Sequence, residues 1–481
     1  MTRRRFLSGA AAAATTSVAC RKPAAKKPNV VVVMTDDQRW DCLGVAGHPF
    51  LKTPNLDRLA NEGARFENAF VTTSLCSPSR ASYLSGLYAH AHGVQNNFTD
   101  YPAGLASYPR ALQAAGYQTA YIGKWHMGEQ SDDARPGFDY WASHKGQGKY
   151  NDTEFNVNGK RAVLPGYYSH VVTNLAVDWL KQPRSSPFLL IVGHKAPHGV
   201  WTPEPKYEHA FDGVKVQKPA TAYSTLDGKP AWVKERLKTW HGIDGPLYGT
   251  KDFEKFIRTY HATIPSVDDS VGEIYETLRT KGELDNTVFV FCSDNGFLLG
   301  EHGSIDKRTM WEESIRVPLL MRYPGMIQQP SVRQEMVLNL DLAPTLVEMC
   351  GAAPLTRVHG RSMVRMLTMG DPGWRKYFLY EYNFENEFPY TPNVRGVRSQ
   401  EWKYIHYPNG EGQPETHRAE LYHLKEDPKE TKNLIDDAGA SQMLTGLQGE
   451  LARLLVETGA SPDPMPVNPK LRMEMPAVGI R

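Results

Sequence analysis

Five groups of side chains that could do chemistry lie far apart in this chain. They are Asp36-Asp37, Cys76 with Arg80, Lys124 with His126, His194 with His198, and Asp294-Asn295. Asp and Asn are hard oxygen donors of the kind Ca2+ and Mg2+ prefer, whereas zinc favours nitrogen and sulfur. Either pair alone also fits a turn or a helix cap. Two such pairs, each just after a buried apolar run, point to a metal, with Ca2+ the first choice and Mg2+ the second. Cys76 opens Cys76-Ser77-Pro78-Ser79-Arg80. A cysteine in isolation is most often a buried, inert thiol. Pro78, however, suits the first turn of a helix, Arg80 falls about one turn on, and a helix N-terminus favours a bound anion. Both readings place Cys76 where a turn becomes a helix; only the functional one uses Arg80.

The elements that must position these groups follow from hydrophobic periodicity. Residues 30–34 form an apolar, β-branched run without alternation, the pattern of a strand buried on both faces of a parallel sheet, and they lead into Asp36. Residues 117–123 read as a strand ending at Lys124-Trp125-His126. Residues 188–192 end before His194, residues 287–292 end before Asp294, and residues 316–321 read as a further strand. Helices are expected at 54–64, 80–87, 105–115 and 168–180. The stretch 252–279 is mostly helical, with Pro265 set to kink or split it. Alternating strands and helices predict an α/β fold with a large, mostly parallel central sheet flanked by helices. Such sheets bind ligands beyond the carboxyl ends of their strands, so the polar groups should converge on one rim. Near residue 370 the pattern shifts to short alternating stretches followed by a helix at 440–457. That predicts a smaller C-terminal antiparallel sheet with a packed helix.

Bulk properties narrow the function classes. The chain has 481 residues, 41% hydrophobic and 22% charged, with a net charge of +2, so nothing argues for nucleic acid as a partner. No apolar run reaches the roughly 18 residues of a membrane span. The cysteines at 20, 42, 76, 292 and 350 show no paired spacing and do not read as a disulfide framework or a zinc site. Thr2-Arg3-Arg4-Arg5-Phe6-Leu7-Ser8 resembles a twin-arginine export signal, with a weakly apolar stretch at 10–14. Small residues before Cys20 suit cleavage, and Cys20 itself resembles a lipid-attachment site. The expectation is an exported protein, periplasmic or at the cell surface, with a possible lipid anchor at Cys20. Residues 1–28 then form signal and linker, 29–370 the catalytic domain, and 371–481 a C-terminal subdomain.

The polar groups belong to longer motifs: Thr35-Asp-Asp-Gln38, Cys76-Ser-Pro-Ser-Arg80, Gly123-Lys-Trp-His126, His194-Lys-Ala-Pro-His198, Ser293-Asp-Asn-Gly296, Gly300-Glu-His-Gly303, Lys307 and Arg316-Val-Pro318. In identity and order they resemble the type I sulfatases, enzymes of the alkaline-phosphatase-like superfamily. The resemblance covers most of the chain. It implies that Cys76 is oxidised by a formylglycine-generating maturation enzyme and that its hydrated aldehyde is the nucleophile. Asp36, Asp37, Asp294 and Asn295, with residue 76, would hold the metal, and Arg80 would stabilise the hydrate. Lys124 and Lys307 would bind sulfate oxygens, His126 would sit against the hydrate, and His198 would face the leaving oxygen. For His194 the expected role is a polar side chain orienting a loop.

The implied reaction is hydrolysis of a sulfuric ester. The segments His92-Gly-Val-Gln-Asn-Asn97, Pro136-Gly-Phe-Asp-Tyr-Trp141 and Gly146-Gln-Gly-Lys-Tyr150, with Asn156 and Asn158, look most like carbohydrate sulfatases, including those acting on N-acetylglucosamine 6-sulfate; the same loops are also explicable as shared scaffold. Glu381, Tyr382, Asn383, Glu385 and Asn386, with residues 390–395, suit a sugar-binding rim. Two competing readings remain: a phosphate or phosphonate monoester hydrolase on the same scaffold, and a sulfated-glycan binder without turnover.

Overall fold

The computed structural model describes residues 26–385, 388, 391–408 and 418–460. The export signal, Cys20, Asn386 and Tyr390 lie outside the described residues. Strands in chain order are β1 (Asn29–Thr35), β2 (Ala64–Phe66), β3 (Ala69–Phe70), β4 (Gln118–Gly123), β5 (Tyr140–Ser143), β6 (Asn151–Val157), β7 (Lys160–Tyr167), β8 (Phe188–Gly193), β9 (Thr287–Ser293), β10 (Leu319–Arg322), β11 (Ser331–Arg333), β12 (Val337–Leu338), β13 (Tyr377–Tyr382), β14 (Val394–Ser399), β15 (Trp402–His406) and β16 (Glu420–His423).

Ten of them form one sheet, ordered β11-β2-β10-β9-β1-β8-β4-β5-β6-β7. Its centre, β9-β1-β8-β4-β5, is parallel throughout. Every residue of β1, β8 and β9 is buried, as their unbroken apolar runs require. Alternate residues of β1 enter two separate cores. Val30, Val32 and Met34 pack with the helices Cys76–Ser85, Tyr108–Ala114 and Leu342–Met349. Val31 and Val33 pack with Pro54–Asn61, Tyr168–Lys181 and Pro265–Thr280. The result is three layers, helix–sheet–helix.

Two expectations need correction. The strand expected at 316–321 is Leu319–Arg322 and runs antiparallel to β9, closing that edge of the parallel array. The other edge grows by the antiparallel ribbon β5-β6-β7, a region not read as strands from sequence. The 252–279 stretch splits as Pro265 dictates, into Phe253–Ala262 and Pro265–Thr280. The four-stranded antiparallel sheet β13-β14-β15-β16 carries the helix Ser441–Thr458. It is tied to the larger unit by buried ion pairs. Arg398 and Lys403 reach Glu312, and Lys403 also reaches Glu430.

Register makes the fold relevant to function. Thr35 pairs with Ser293, so Asp36-Asp37 and Asp294-Asn295 leave the sheet side by side. Gly123 pairs with Gly193, so Lys124 and His194 emerge at one level. Gly123 sits at φ 103, and a Cβ there would lie 2.0 Å from the Gly193 carbonyl oxygen, so only glycine lets the two strands close at this point.

Candidate active site

The carboxyl ends of β1, β4, β8 and β9 bring all ten predicted site residues together. Ligand atoms of Asp36, Asp37, Cys76 and Asp294 lie within 4.8 Å of one another. Cys76 is the first residue of the helix Cys76–Ser85, every residue of which is buried. No side chain of Leu75 caps this helix; Asn97 Oδ1 accepts the Ser77 N–H at 3.1 Å instead.

Arg80 is the hub of the floor. Its Nε donates to Asp294 Oδ2 at 2.9 Å, Nη1 to the Lys124 carbonyl at 2.7 Å, and Nη2 to Asp36 Oδ2 at 3.3 Å. Lys124 Nζ donates to Asp36 Oδ2 and to Gln147 Oε1. Lys307 Nζ donates to Asp37 Oδ1 and, at 3.0 Å, to Cys76 Sγ. The Cys76 thiol donates to Asp36 Oδ1 at 3.4 Å. Asp37, at φ 68, takes the left-handed conformation that Asp tolerates better than most residues; its N–H donates to Asp294 Oδ1 at 3.1 Å and its Oδ1 accepts from Asn295 Nδ2 at 2.6 Å. His198 Nε2 lies 3.9 Å from Asp37 Oδ2, while its Nδ1 bonds the Gly199 carbonyl at 2.5 Å.

The electrostatics follow from burial opposed by charge. Burial pushes Asp36 up, but Lys124, His198, Arg80 and Lys307 outweigh it and hold the carboxyl well below the usual range. Burial lifts Asp37 to about 7; Lys307 opposes this, and the neighbouring Asp36 and Asp294 reinforce it. Burial also raises Asp294, with Asp36 adding to the effect. Lys307 is held well above its ordinary value by Asp37 and Cys76 in spite of its burial. The Cys76 thiol is pushed up by burial and by Asp36, more than Lys307 and Lys124 pull it down. An unmodified thiol here stays protonated and is a poor nucleophile. His126 and His198 are held well below their ordinary value by burial and then by Lys124, so both rest as neutral imidazoles.

The donor set suits a hard divalent cation. Three buried carboxylates converge, and the Asn295 Oδ1 atom is buried with no hydrogen-bond partner among the described residues, leaving a free oxygen beside them.

Above this floor opens a narrow cleft with room for about 40 Å³ of water-sized occupants. Asp37, His198 and Lys307 face it from below. Asn97, Phe98, Glu129, Gln147, Trp240, His241, Tyr248, Asp306, Arg308 and Phe388 form its walls. Arg308 bonds Glu385 Oε2 at 2.7 Å and Asp306 Oδ1 at 2.9 Å, and its guanidinium lies 4.6 Å from the Phe388 ring centre. Apart from Asn97 and Gln147, which lie in motifs quoted above, these wall residues were not found from sequence. Two were close at hand: Asp306 and Arg308 flank Lys307.

Other expectations resolve differently. His194 is buried at the rim, but neither ring nitrogen meets a partner among the described residues; its backbone N–H, not its ring, is tied, to the Met34 carbonyl at 2.8 Å. Asn156 and Asn158 serve the β5-β6 ribbon: Asn158 Oδ1 accepts the Trp141 N–H and Asn156 Oδ1 the Gly159 N–H. Glu381 pairs with His90, whereas Glu385 braces the cleft wall through Arg308.

A large three-layer α/β fold with an anion-binding floor at its strand ends defines a hydrolase of charged esters. Residues 28–352 match the sulfatase family model, and residues 300–457 match that of the C-terminal region of N-sulphoglucosamine sulphohydrolase. The chain belongs to the sulfatase family, within the alkaline-phosphatase-like superfamily. It is 31% identical to an N-acetylglucosamine-6-O-sulfatase of Bacteroides thetaiotaomicron, over 88% of this chain and 85% of that one. It is 32% identical to the human N-acetylglucosamine-6-sulfatase, over 73% of this chain and 66% of the relative. A solved protein in complex with its substrate D-glucosamine-2-N,6-O-disulfate superposes with a TM-score of 0.83 at 30% identity, over 91% of this chain and 100% of that one. The phosphonate monoester hydrolase of Agrobacterium radiobacter shares the fold, with a TM-score of 0.75 at 23% identity, over 90% and 96% of the two chains.

Proposed function

We propose that this protein hydrolyses an O-sulfate ester of a carbohydrate, with N-acetylglucosamine 6-sulfate the first candidate. The observation that carries the reading is the Cys76–Arg80 helix start enclosed by three carboxylates and two lysines beneath an open cleft. Relatives that act on glucosamine sulfates support the choice of substrate class.

Asp36, Asp37, Asp294, Asn295 and residue 76 would hold a divalent cation, Ca2+ first and Mg2+ second, which supplies positive charge to the sulfate oxygens. Residue 76, oxidised to formylglycine by a maturation enzyme, supplies a hydrated aldehyde with two hydroxyls on one carbon. The chain's own residues do the rest. Arg80 fixes Asp36 and Asp294 through its rigid fork. Lys124 and Lys307 neutralise the sulfate oxygens and hold them in line with residue 76. His198 presents Nε2 to the cleft because Nδ1 is committed to Gly199. An arriving anion raises its proton affinity, and it then protonates the departing sugar oxygen. His126 accepts a proton from residue 76 and allows inorganic sulfate to leave.

The twin-arginine leader supports export through the twin-arginine machinery to the periplasm or cell surface. Sulfate release from a panel of sulfated mono- and disaccharides, with nitrophenyl sulfate and nitrophenyl phosphate as references, tests the function. Turnover of the phosphate well above the sulfate would overturn it, as would binding without release in protein shown by mass spectrometry to carry the aldehyde at residue 76.

A further inference from the structure

We infer that Glu129 is a positioning residue for His126, selecting which ring nitrogen does the chemistry; the inference rests on the sulfatase reading of the site. Glu129 Oε1 lies 2.7 Å from His126 Nε2. The other ring nitrogen, Nδ1, is buried and has no hydrogen-bond partner among the described residues. An ionised carboxylate only accepts hydrogen bonds, so an ionised Glu129 would draw the hydrogen of the neutral ring to Nε2 and leave Nδ1 with a bare lone pair. Lys124, Asp36, Arg80 and His198 act on that ring through their charges.

The surroundings hold both partners. The His126 carbonyl accepts from Ser77 Oγ, so the His126 backbone is tied to the residue next to Cys76. His126 itself sits at φ 46, a conformation that this tether helps to keep. On the far side, a Cβ on Gly146 would lie 2.3 Å from Glu129 Oε2, so the glycine loop presses its backbone against the carboxylate. The next residue in that loop, Gln147, accepts from Lys124 Nζ. One short loop thus braces the partners of both His126 and Lys124.

In the sulfatase reading, Nδ1 would accept the proton of the free hydroxyl at residue 76 as the carbonyl re-forms and the C–O bond to sulfate breaks, and the imidazolium would later pass that proton to water. Burial raises the Glu129 carboxyl and Lys124 opposes the rise; in its ionised form the carboxylate stabilises the positive ring. Replacing such a carboxylate by its amide leaves geometry intact but favours the wrong tautomer; in a serine protease that change costs about 10⁴-fold in kcat.

The test begins on protein made without maturation, with Cys76 unmodified. 15N shifts of labelled histidine, assigned by difference with His126→Gln, should show hydrogen on Nε2 and none on Nδ1 of His126. Glu129→Gln should move hydrogen onto Nδ1. In matured enzyme Glu129→Gln should lose roughly 10²–10⁴-fold in kcat, with KM changed less than about threefold. Added acetate should partly restore Glu129→Ala. Hydrogen on Nδ1 in the wild type, or wild-type kcat in Glu129→Gln, overturns the assignment. Wild-type protein that carries the aldehyde yet releases no sulfate instead removes the reading of the whole site, and the tautomer measurement still decides Glu129.

Discussion

Replacing Arg80 by lysine keeps the charge and removes the fork. Arg80 is 2% exposed and donates from three nitrogens to three acceptors. A lysine ammonium is a point donor and cannot span Asp294 Oδ2, Asp36 Oδ2 and the Lys124 carbonyl together. The carbonyl loses little, because Tyr121 Oη still donates to it at 2.5 Å. The carboxylates lose more: at least one charge-assisted hydrogen bond, worth about 1.5–3 kcal/mol. Breaking a buried ion pair outright costs about 3–5 kcal/mol, which sets the upper bound. Arg80→Lys should therefore cost about 2–4 kcal/mol, against a typical total of about 5–15 kcal/mol, and the variant should still fold. The assay is urea unfolding in chelator, so that cation ligation by Asp294 does not enter. A cycle with Asp294→Asn should give a coupling of at least about 1.5 kcal/mol. Stability within about 0.5 kcal/mol of wild type, or additivity of the two changes to that margin, would refute the view that the fork organises the floor.

Three further outcomes follow from the same geometry. His198→Ala should slow a sugar sulfate by roughly 10²–10⁴-fold but nitrophenyl sulfate far less, since a good leaving group needs no proton; equal losses on both substrates, measured by sulfate release, would remove His198 as the acid. Asp37 in the cation-free fold binds its proton up to about pH 7, above an unfolded carboxyl at roughly 4, so cation-free stability should fall as pH rises from about 4 to 7. Asp36, held low, adds a separate loss only as pH falls below roughly 4. Cation binding at pH 6 should therefore expel close to one proton, read by calorimetry in two buffers of different ionisation heat, and a value near zero would contradict the raised Asp37. Gly123→Ala should cost more than about 3 kcal/mol or prevent folding, because its Cβ would meet the Gly193 carbonyl at 2.0 Å as well as a positive φ; a near-wild-type melting temperature would show that β4 and β8 can part there.

The floor of the site was legible because its residues follow the least ambiguous elements. The β1, β8 and β9 runs are apolar on both faces, so their boundaries are sharp and the polar residues just beyond them stand out. Pro265 likewise marked the break between two helices. The β5-β6-β7 ribbon escaped because β7 is exposed almost throughout and carries no apolar alternation to read. The antiparallel direction of β10 is a property of its partner β9, not of its four residues. Glu129 was hidden although it lies three residues after His126, because a carboxylate in a loop reads as surface until tertiary structure sets it against the His126 ring. The cleft walls were hidden for a related reason: Trp240, Tyr248 and Phe388 come from separate loops and meet only in the folded chain.

This division between strand ends and loops also assigns the work. The floor is set by sheet register: shifting β1 against β9 by one residue would separate Asp36-Asp37 from Asp294-Asn295 and turn the buried faces of β1 over. It is therefore the part least free to change. The walls carry no such constraint. Arg308 stands on a loop, held by Asp306 on one side and by Glu385 from the C-terminal sheet region on the other, with Phe388 against its guanidinium. A change there alters the cleft without disturbing a strand. The contact between Arg308 and the Glu385–Phe388 segment thus places the region after β13 at the cleft wall as well as in the packing of the fold.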